Sequence, residues 1–114
     1  MKKKTYPTTI SISSGKKYDM VIVADIIYLE ARENNTIIHI RNGGQHVDSK
    51  RIGKFLELLD PNQFYKIHRS HAVNILEVSG YEKGRSGNVF LKNGKTLPVS
   101  VGEKPDFRKR MREK

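Results

Sequence analysis

Apolar and polar residues alternate through Thr8-Thr9-Ile10-Ser11-Ile12-Ser13, the two-residue period of a half-buried β-strand, and Ser14-Gly15 predicts a turn after it. Tyr18-Asp19-Met20-Val21-Ile22-Val23 and Ile26-Ile27-Tyr28-Leu29-Glu30-Ala31 predict two further strands with a kink at Ala24-Asp25. The polar run Arg32-Glu33-Asn34-Asn35 reads as a turn. Thr36-Ile37-Ile38-His39-Ile40 returns as a strand, Arg41-Asn42-Gly43-Gly44 closes a hairpin, and Gln45-His46-Val47 leads out.

The period then changes. Ile52, Phe55, Leu56 and Leu59 recur at i, i+3, i+4 and i+7, the apolar face of a helix. Asp48 or Ser49 is the expected N-cap, and Asp60-Pro61-Asn62 the stop. Gly53 inside the helix costs about 1 kcal/mol relative to alanine, so the helix depends on docking. Phe64-Tyr65-Lys66-Ile67 and Ile75-Leu76-Glu77-Val78 are strand-like, and Lys83-Gly84-Arg85-Ser86-Gly87 is a soft loop. Val89-Phe90-Leu91-Lys92 and Lys95-Thr96-Leu97-Pro98-Val99 flank Asn93-Gly94, and a two-residue loop there would pair Phe90 with Leu97. Pro98 marks an edge strand. Phe107 and Met111 predict a short C-terminal helix. About eight strands with one or two helices, the helices falling between runs of strands, predict a mostly β domain of small antiparallel sheets.

A chain of 114 residues holds one modest core. It has no cysteine, which excludes disulfides and thiolate metal sites. The longest apolar stretch, Met20 to Ala24, is too short to span a membrane, and Thr5-Tyr6-Pro7-Thr8-Thr9 after Met1-Lys2-Lys3-Lys4 is not the apolar core of a signal peptide. The expectation is a cytoplasmic domain over residues 8–112 behind a basic tail, residues 1–7, with no membrane partner. The net charge of +10 points toward nucleic acid, yet residues 5–103 carry 13 basic and 10 acidic groups. Much of the excess sits in the lysine run and in residues 104–114. Those ends are expected to add attraction that does not depend on sequence.

The densest chemistry lies at His68-Arg69-Ser70-His71, where an apolar strand breaks in hydrogen-bond donors rather than in glycine or proline. Such a segment reads as a rigidly held reader rather than a turn, and arginine there offers a planar fork suited to phosphate or a base edge. Asn34 and Asn35 bring two amides suited to adenine or phosphate. Ser100 precedes a helix start that could take a phosphate. His68 and His71 have no carboxylate or cysteine nearby in sequence, so no metal site is expected. Gly84-Arg85-Ser86-Gly87 lacks a nucleophile-elbow pattern and no phosphate-binding glycine motif occurs, so neither an enzyme nor a cofactor or small-molecule substrate is expected.

In order and spacing, Ile27-Tyr28-Leu29-Glu30-Ala31, Asn34-Asn35-Thr36, Phe64 through Asn74, Val89 through Gly94 and Leu97-Pro98-Val99-Ser100 closely resemble the LytTR family. That family supplies the DNA-binding output domains of many bacterial two-component response regulators. The resemblance covers about residues 8–112. It implies a fold of several small antiparallel sheets that inserts loops into successive major grooves of double-stranded DNA, at paired direct repeats and compatibly with a dimer on DNA. It implies base reading by Asn34, Asn35 and Thr36, and by Arg69 with His68. Backbone contacts would come from Ser70, from Ser100 to Lys104 and Arg108, and from Ser49, Lys50 and Arg51 at the helix start.

One position departs from the family. Val101 and Gly102 follow Ser100, where the family usually places arginine. No acidic phospho-acceptor pattern precedes residue 8, so the chain reads as an output domain without a receiver. Two other classes compete. An RNA or single-strand binder of small-barrel type needs exposed aromatic rings, and a protein-interaction module on the same fold would have lost its DNA contacts.

Overall fold

The computed structural model describes residues 5–83 and 87–112; Met1 to Lys4 of the basic tail, Gly84 to Ser86 of the soft loop, Glu113 and Lys114 lie outside them. The described residues form ten strands: β1 (Thr9–Ser14), β2 (Lys17–Ile22), β3 (Ile26–Arg32), β4 (Asn35–Ile40), β5 (Gln45–Asp48), β6 (Phe64–His68), β7 (His71–Asn74), β8 (Val78–Tyr81), β9 (Asn88–Leu91) and β10 (Thr96–Pro98). Two α-helices complete them, α1 (Ile52–Leu58) and α2 (Lys104–Arg112). The fold is mostly β, in small antiparallel sheets.

A five-stranded sheet, ordered β5-β4-β3-β7-β6, is the central layer. β3 lies in its middle, which accounts for the unbroken apolar run Ile26 to Leu29: a strand covered on both faces has no polar side to present. One face packs Leu29, Ile38 and Phe64 against Ile10, Ile12 and Val21 of the β1-β2 hairpin, against Ile52 and Phe55 of α1 and against Leu59 just after it. The other packs Tyr28, Ile67 and Val73 against Val89, Leu91 and Leu97 of the β10-β9-β8 sheet and Phe107 of α2.

Four expectations need correction. Ile75–Glu77 is a 3-10 turn rather than a strand. Asn74 drives it: its side chain accepts from the Leu76 N–H at 3.0 Å and donates to the Ile26 carbonyl at 2.8 Å, so the chain curls before β8 begins. Neither Asp48 nor Ser49 caps α1; the N-cap is Arg51, with no side-chain cap bond. In the C-terminal hairpin Leu97 faces Val89 and Phe90 faces Thr96. The Leu91 N–H closes on the Lys95 carbonyl across Lys92, Asn93 and Gly94, and Gly94 takes the left-handed position of a three-residue loop at φ +92°. That register buries Leu97 and Val89 and leaves Phe90 at 38% exposure. Finally, Arg69-Ser70 is the two-residue turn of the β6-β7 hairpin, because His68 pairs with His71. The donors do occupy a turn.

Candidate nucleic-acid interface

The polar segments converge because strand direction places them on one end of the central sheet. β3 and β4 pair from Tyr28 with His39 out to Arg32 with Asn35, leaving Glu33 and Asn34 as the connecting turn. β7 lies beside β3, with Glu30 opposite His71, and the Ala31 N–H donates to the Ser70 carbonyl at 2.8 Å. The Arg69-Ser70 turn therefore emerges beside the Glu33-Asn34 turn. On one flank, Asp48 at the end of β5 faces Thr36, so Ser49, Lys50 and Arg51 leave the sheet at this loop end. On the other, the Ser100 N–H donates to the Ile67 carbonyl at 2.8 Å, bringing the third segment alongside β6.

Arg69 is exposed at the tip of a turn held from two sides. The His68 ring accepts from the Ser70 N–H through Nδ1 at 3.1 Å, while the Ser70 carbonyl is tied to Ala31. Nδ1 of His68 is thus engaged by the turn backbone and helps to position the arginine beside it; Ser70 is half-buried at its base. Asn34 and Asn35 are exposed, and the Arg51 guanidinium lies 3.5 Å from the Asn34 side-chain oxygen. These residues border a depression of about 190 Å³ with Ala31, Glu33 and Ile52.

Two expected contact residues face inward. Thr36 is fully buried, and its hydroxyl donates to the Lys50 carbonyl at 2.7 Å, so it secures the chain after β5 and offers nothing to a base edge. Lys104 is 6% exposed, beneath the first turn of α2, and is not presented to a backbone. Arg108, half-buried, borders the crevice between α2 and Tyr81, Glu82 and Asn88. α2 runs away from the loop end: the Arg110 guanidinium donates to the Pro61 carbonyl at 2.7 Å and lies over the Tyr65 ring, near the start of β6. The C-terminal cations Lys109, Arg110 and Arg112 are therefore carried toward the opposite end of the sheet. Of the third segment, Ser100 is half-buried and Val101 is 69% exposed.

Periodicity gives no hint of two features that support this end. Asp48, 1% exposed, accepts from the Ser13 N–H at 2.8 Å and the Lys50 N–H at 2.7 Å. Burial alone would raise its pKa, but those bonds and the Lys50 charge outweigh it and hold the carboxyl below its ordinary value. Behind the Arg69 turn, Tyr28 stacks on His39 with centroids 4.1 Å apart, and His39 bonds Glu30 at 2.9 Å. Burial pushes Glu30 upward, but bonds from His39 and Arg32 more than reverse this, and its pKa is lowered. His71 sits next in the row, 5.6 Å from the His68 ring, with Nδ1 buried and unpartnered. Burial lowers its pKa, helped by the charges of His68, Lys95 and His39 and opposed by Glu30.

Among the described residues no group of three or more His, Cys, Asp or Glu side chains is placed to hold a metal ion, and no helix is long and apolar enough to cross a membrane. A depression of about 480 Å³ between Tyr6, Ile22, Asp60 and Gln63 lies away from the loop end. Exposed arginines, amides and a lysine at one end of the sheet can form hydrogen bonds with base edges and ion pairs with phosphates.

The chain is similar to several known proteins. The family described as "LytTr DNA-binding domain" matches residues 16–112. The transcriptional regulatory protein YpdB of Escherichia coli is 29% identical over 107 residues, covering 90% of this chain and 43% of that protein. The CO-responsive transcriptional regulator RcoM of Rhodospirillum rubrum is 27% identical over 97 residues, covering 82% and 41%. An uncharacterized response regulatory protein of Vibrio cholerae is 26% identical over 102 residues, covering 86% and 39%. The chain thus spans about two fifths of the length of these curated relatives. A solved LytTr DNA-binding domain from Bacillus cereus superposes with a TM-score of 0.80 at 21% identity, covering 92% of this chain and 97% of that one, which establishes the shared fold. The chain belongs to the LytTR family of DNA-binding domains.

Proposed function

We propose that this domain binds double-stranded DNA at specific sequences and thereby serves bacterial transcription control in the cytoplasm. The observation that carries the reading is Arg69: an exposed guanidinium on a two-residue turn, its backbone held by His68 and Ala31, in line with the exposed Asn34 and Asn35. A guanidinium so held loses little freedom on forming a bidentate pair with a guanine, the commonest specific contact in the major groove. The Asn34 and Asn35 amides suit adenine. The loops of this end enter successive major grooves, the adjacent Asn34 and Arg69 turns sharing one, and Ser49, Lys50, Arg51, Ser70 and Ser100 fix the register through phosphates. Paired direct repeats, each occupied by one copy of a DNA-bound dimer, complete this reading.

A single-strand platform finds less support, because Tyr28, Tyr65 and Tyr81 are packed in the core cluster around Phe107, and Tyr18, 71% exposed on β2, is a lone ring rather than a stacking row. Selection of bound sequences from a random duplex pool tests the proposal. Enrichment of a motif, repeated at a fixed spacing, is expected. A pool that stays random, or preferential capture of single strands, would exclude it.

A further inference from the structure

The tip of the β1-β2 hairpin is a basic feature of the loop end that the resemblance does not assign. Ser14 pairs with Lys17 to close the hairpin, leaving Gly15 and Lys16 as its turn. One residue before this closure, Ser13 donates its N–H to the buried Asp48 carboxylate, which also accepts from Lys50. The same carboxylate therefore ties the hairpin tip to the end of β5, and Thr36 ties Lys50 to the base of the Asn34 turn. Lys16 is exposed with no ion-pair partner among the described residues, and Lys17 is exposed with Asp19 3.2 Å away. Gly15, at φ +60°, has open space where a side chain would project. The Asp48 carboxylate is balanced by the Lys50 ammonium, 3.5 Å away.

We infer that Ser14-Gly15-Lys16-Lys17 is a further phosphate-binding element, gripping the duplex backbone beside the groove read by Asn34, Asn35 and Arg69. The inference rests on the proposed duplex binding. Its geometry follows from strand spacing: at about 4.8 Å per strand, β5 lies roughly 14 Å from β7. That offset is close to the ~12 Å width of the major groove. With Arg69 over base edges, the β5 flank falls over the bordering phosphates, where the open glycine turn admits a close approach and two ammonium groups replace counterions.

The test measures binding of the full chain by fluorescence anisotropy to a duplex taken from the selected pool and to a scrambled duplex, over a range of salt concentrations. Lys16→Ala/Lys17→Ala is expected to weaken both duplexes by the same factor and to reduce the slope of log K against log salt by about 0.9 for each phosphate no longer neutralised. Lys16→Arg/Lys17→Arg should keep the wild-type slope, since charge is what the phosphate needs. Lys16→Ala alone touches no ion pair and guards against any effect of freeing Asp19. An unchanged slope in both alanine variants overturns the inference. A wild-type chain that does not distinguish the two duplexes refutes the underlying reading instead, a different result.

Discussion

The Ser13 amide donates to the Asp48 carboxylate at 2.8 Å, joining the N-terminal hairpin to the last residue of β5. Two backbone donors, 37 positions apart in the chain at Ser13 and Lys50, thus share one buried acid. Removing it leaves both amides without their partner in a part-buried setting, at about 1–2 kcal/mol for each unsatisfied group. Asp48→Ala is expected to destabilise the domain by about 2–4 kcal/mol in urea unfolding. A loss below about 0.5 kcal/mol, the size of an ordinary surface substitution, would show that the carboxylate does not hold this corner.

Arg69→Ala removes the guanidinium but leaves the turn bonds of His68 and Ser70 in place. Specific affinity should fall by about 1–3 kcal/mol, with relaxed preference at one base position. Competition between selected and random duplexes measures it, and full discrimination in the variant would deny Arg69 a reading role.

Val101, 69% exposed at the loop end, is too apolar to pair with guanine but suits the methyl group of thymine. Replacing thymine by uracil at one position of the selected site should weaken wild-type binding by a few-fold, and the same replacement should leave Val101→Ser unaffected. Equal sensitivity of both proteins would remove Val101 from the interface.

The C-terminal cations invite the expectation that they strengthen binding to every duplex, yet α2 carries them toward Pro61 and away from the turns. Lys109→Ala/Arg112→Ala should therefore leave the salt slope of binding unchanged. A drop of about 1 or more would place α2 on the DNA.

His71 carries a pH dependence of stability. Burial holds its pKa below the ordinary 6.5, so the folded state binds its proton less well than the unfolded chain does. Its contribution is complete above about pH 6.5 and is lost as the pH falls from there through the lower folded value. Urea midpoints should fall between about pH 7.5 and pH 5, and fall less in His71→Asn. Glu30 and Asp48, with lowered pKa values, remain ionised over that range.

Legibility follows how local the cause is. Alternation locates β1, an apolar run locates β2, the i, i+3, i+4, i+7 set locates α1, and the continuous run Ile26 to Leu29 marks the central strand. The C-terminal hairpin slips by one residue from its expected register because Asn93-Gly94 fits both a two-residue and a three-residue loop. The burial of Leu97 against Val89 decides between them. Thr36 reads as a base contact because it adjoins Asn34-Asn35, but strand alternation turns it inward beneath Lys50.

By itself the sequence determined the mostly β class, most of the strands, and the arginine and amides that suit a base edge. All follow from residue period and side-chain chemistry, which are local. The tertiary structure decided which of the polar groups share a surface. Antiparallel pairing of β3 with β4 and β7 brings Asn34 and Arg69 to one end of the sheet, Asp48 brings the Lys16-Lys17 tip there, and α2 carries its cations elsewhere. Strand pairing and buried hydrogen bonds join residues tens of positions apart, and no local pattern encodes that proximity.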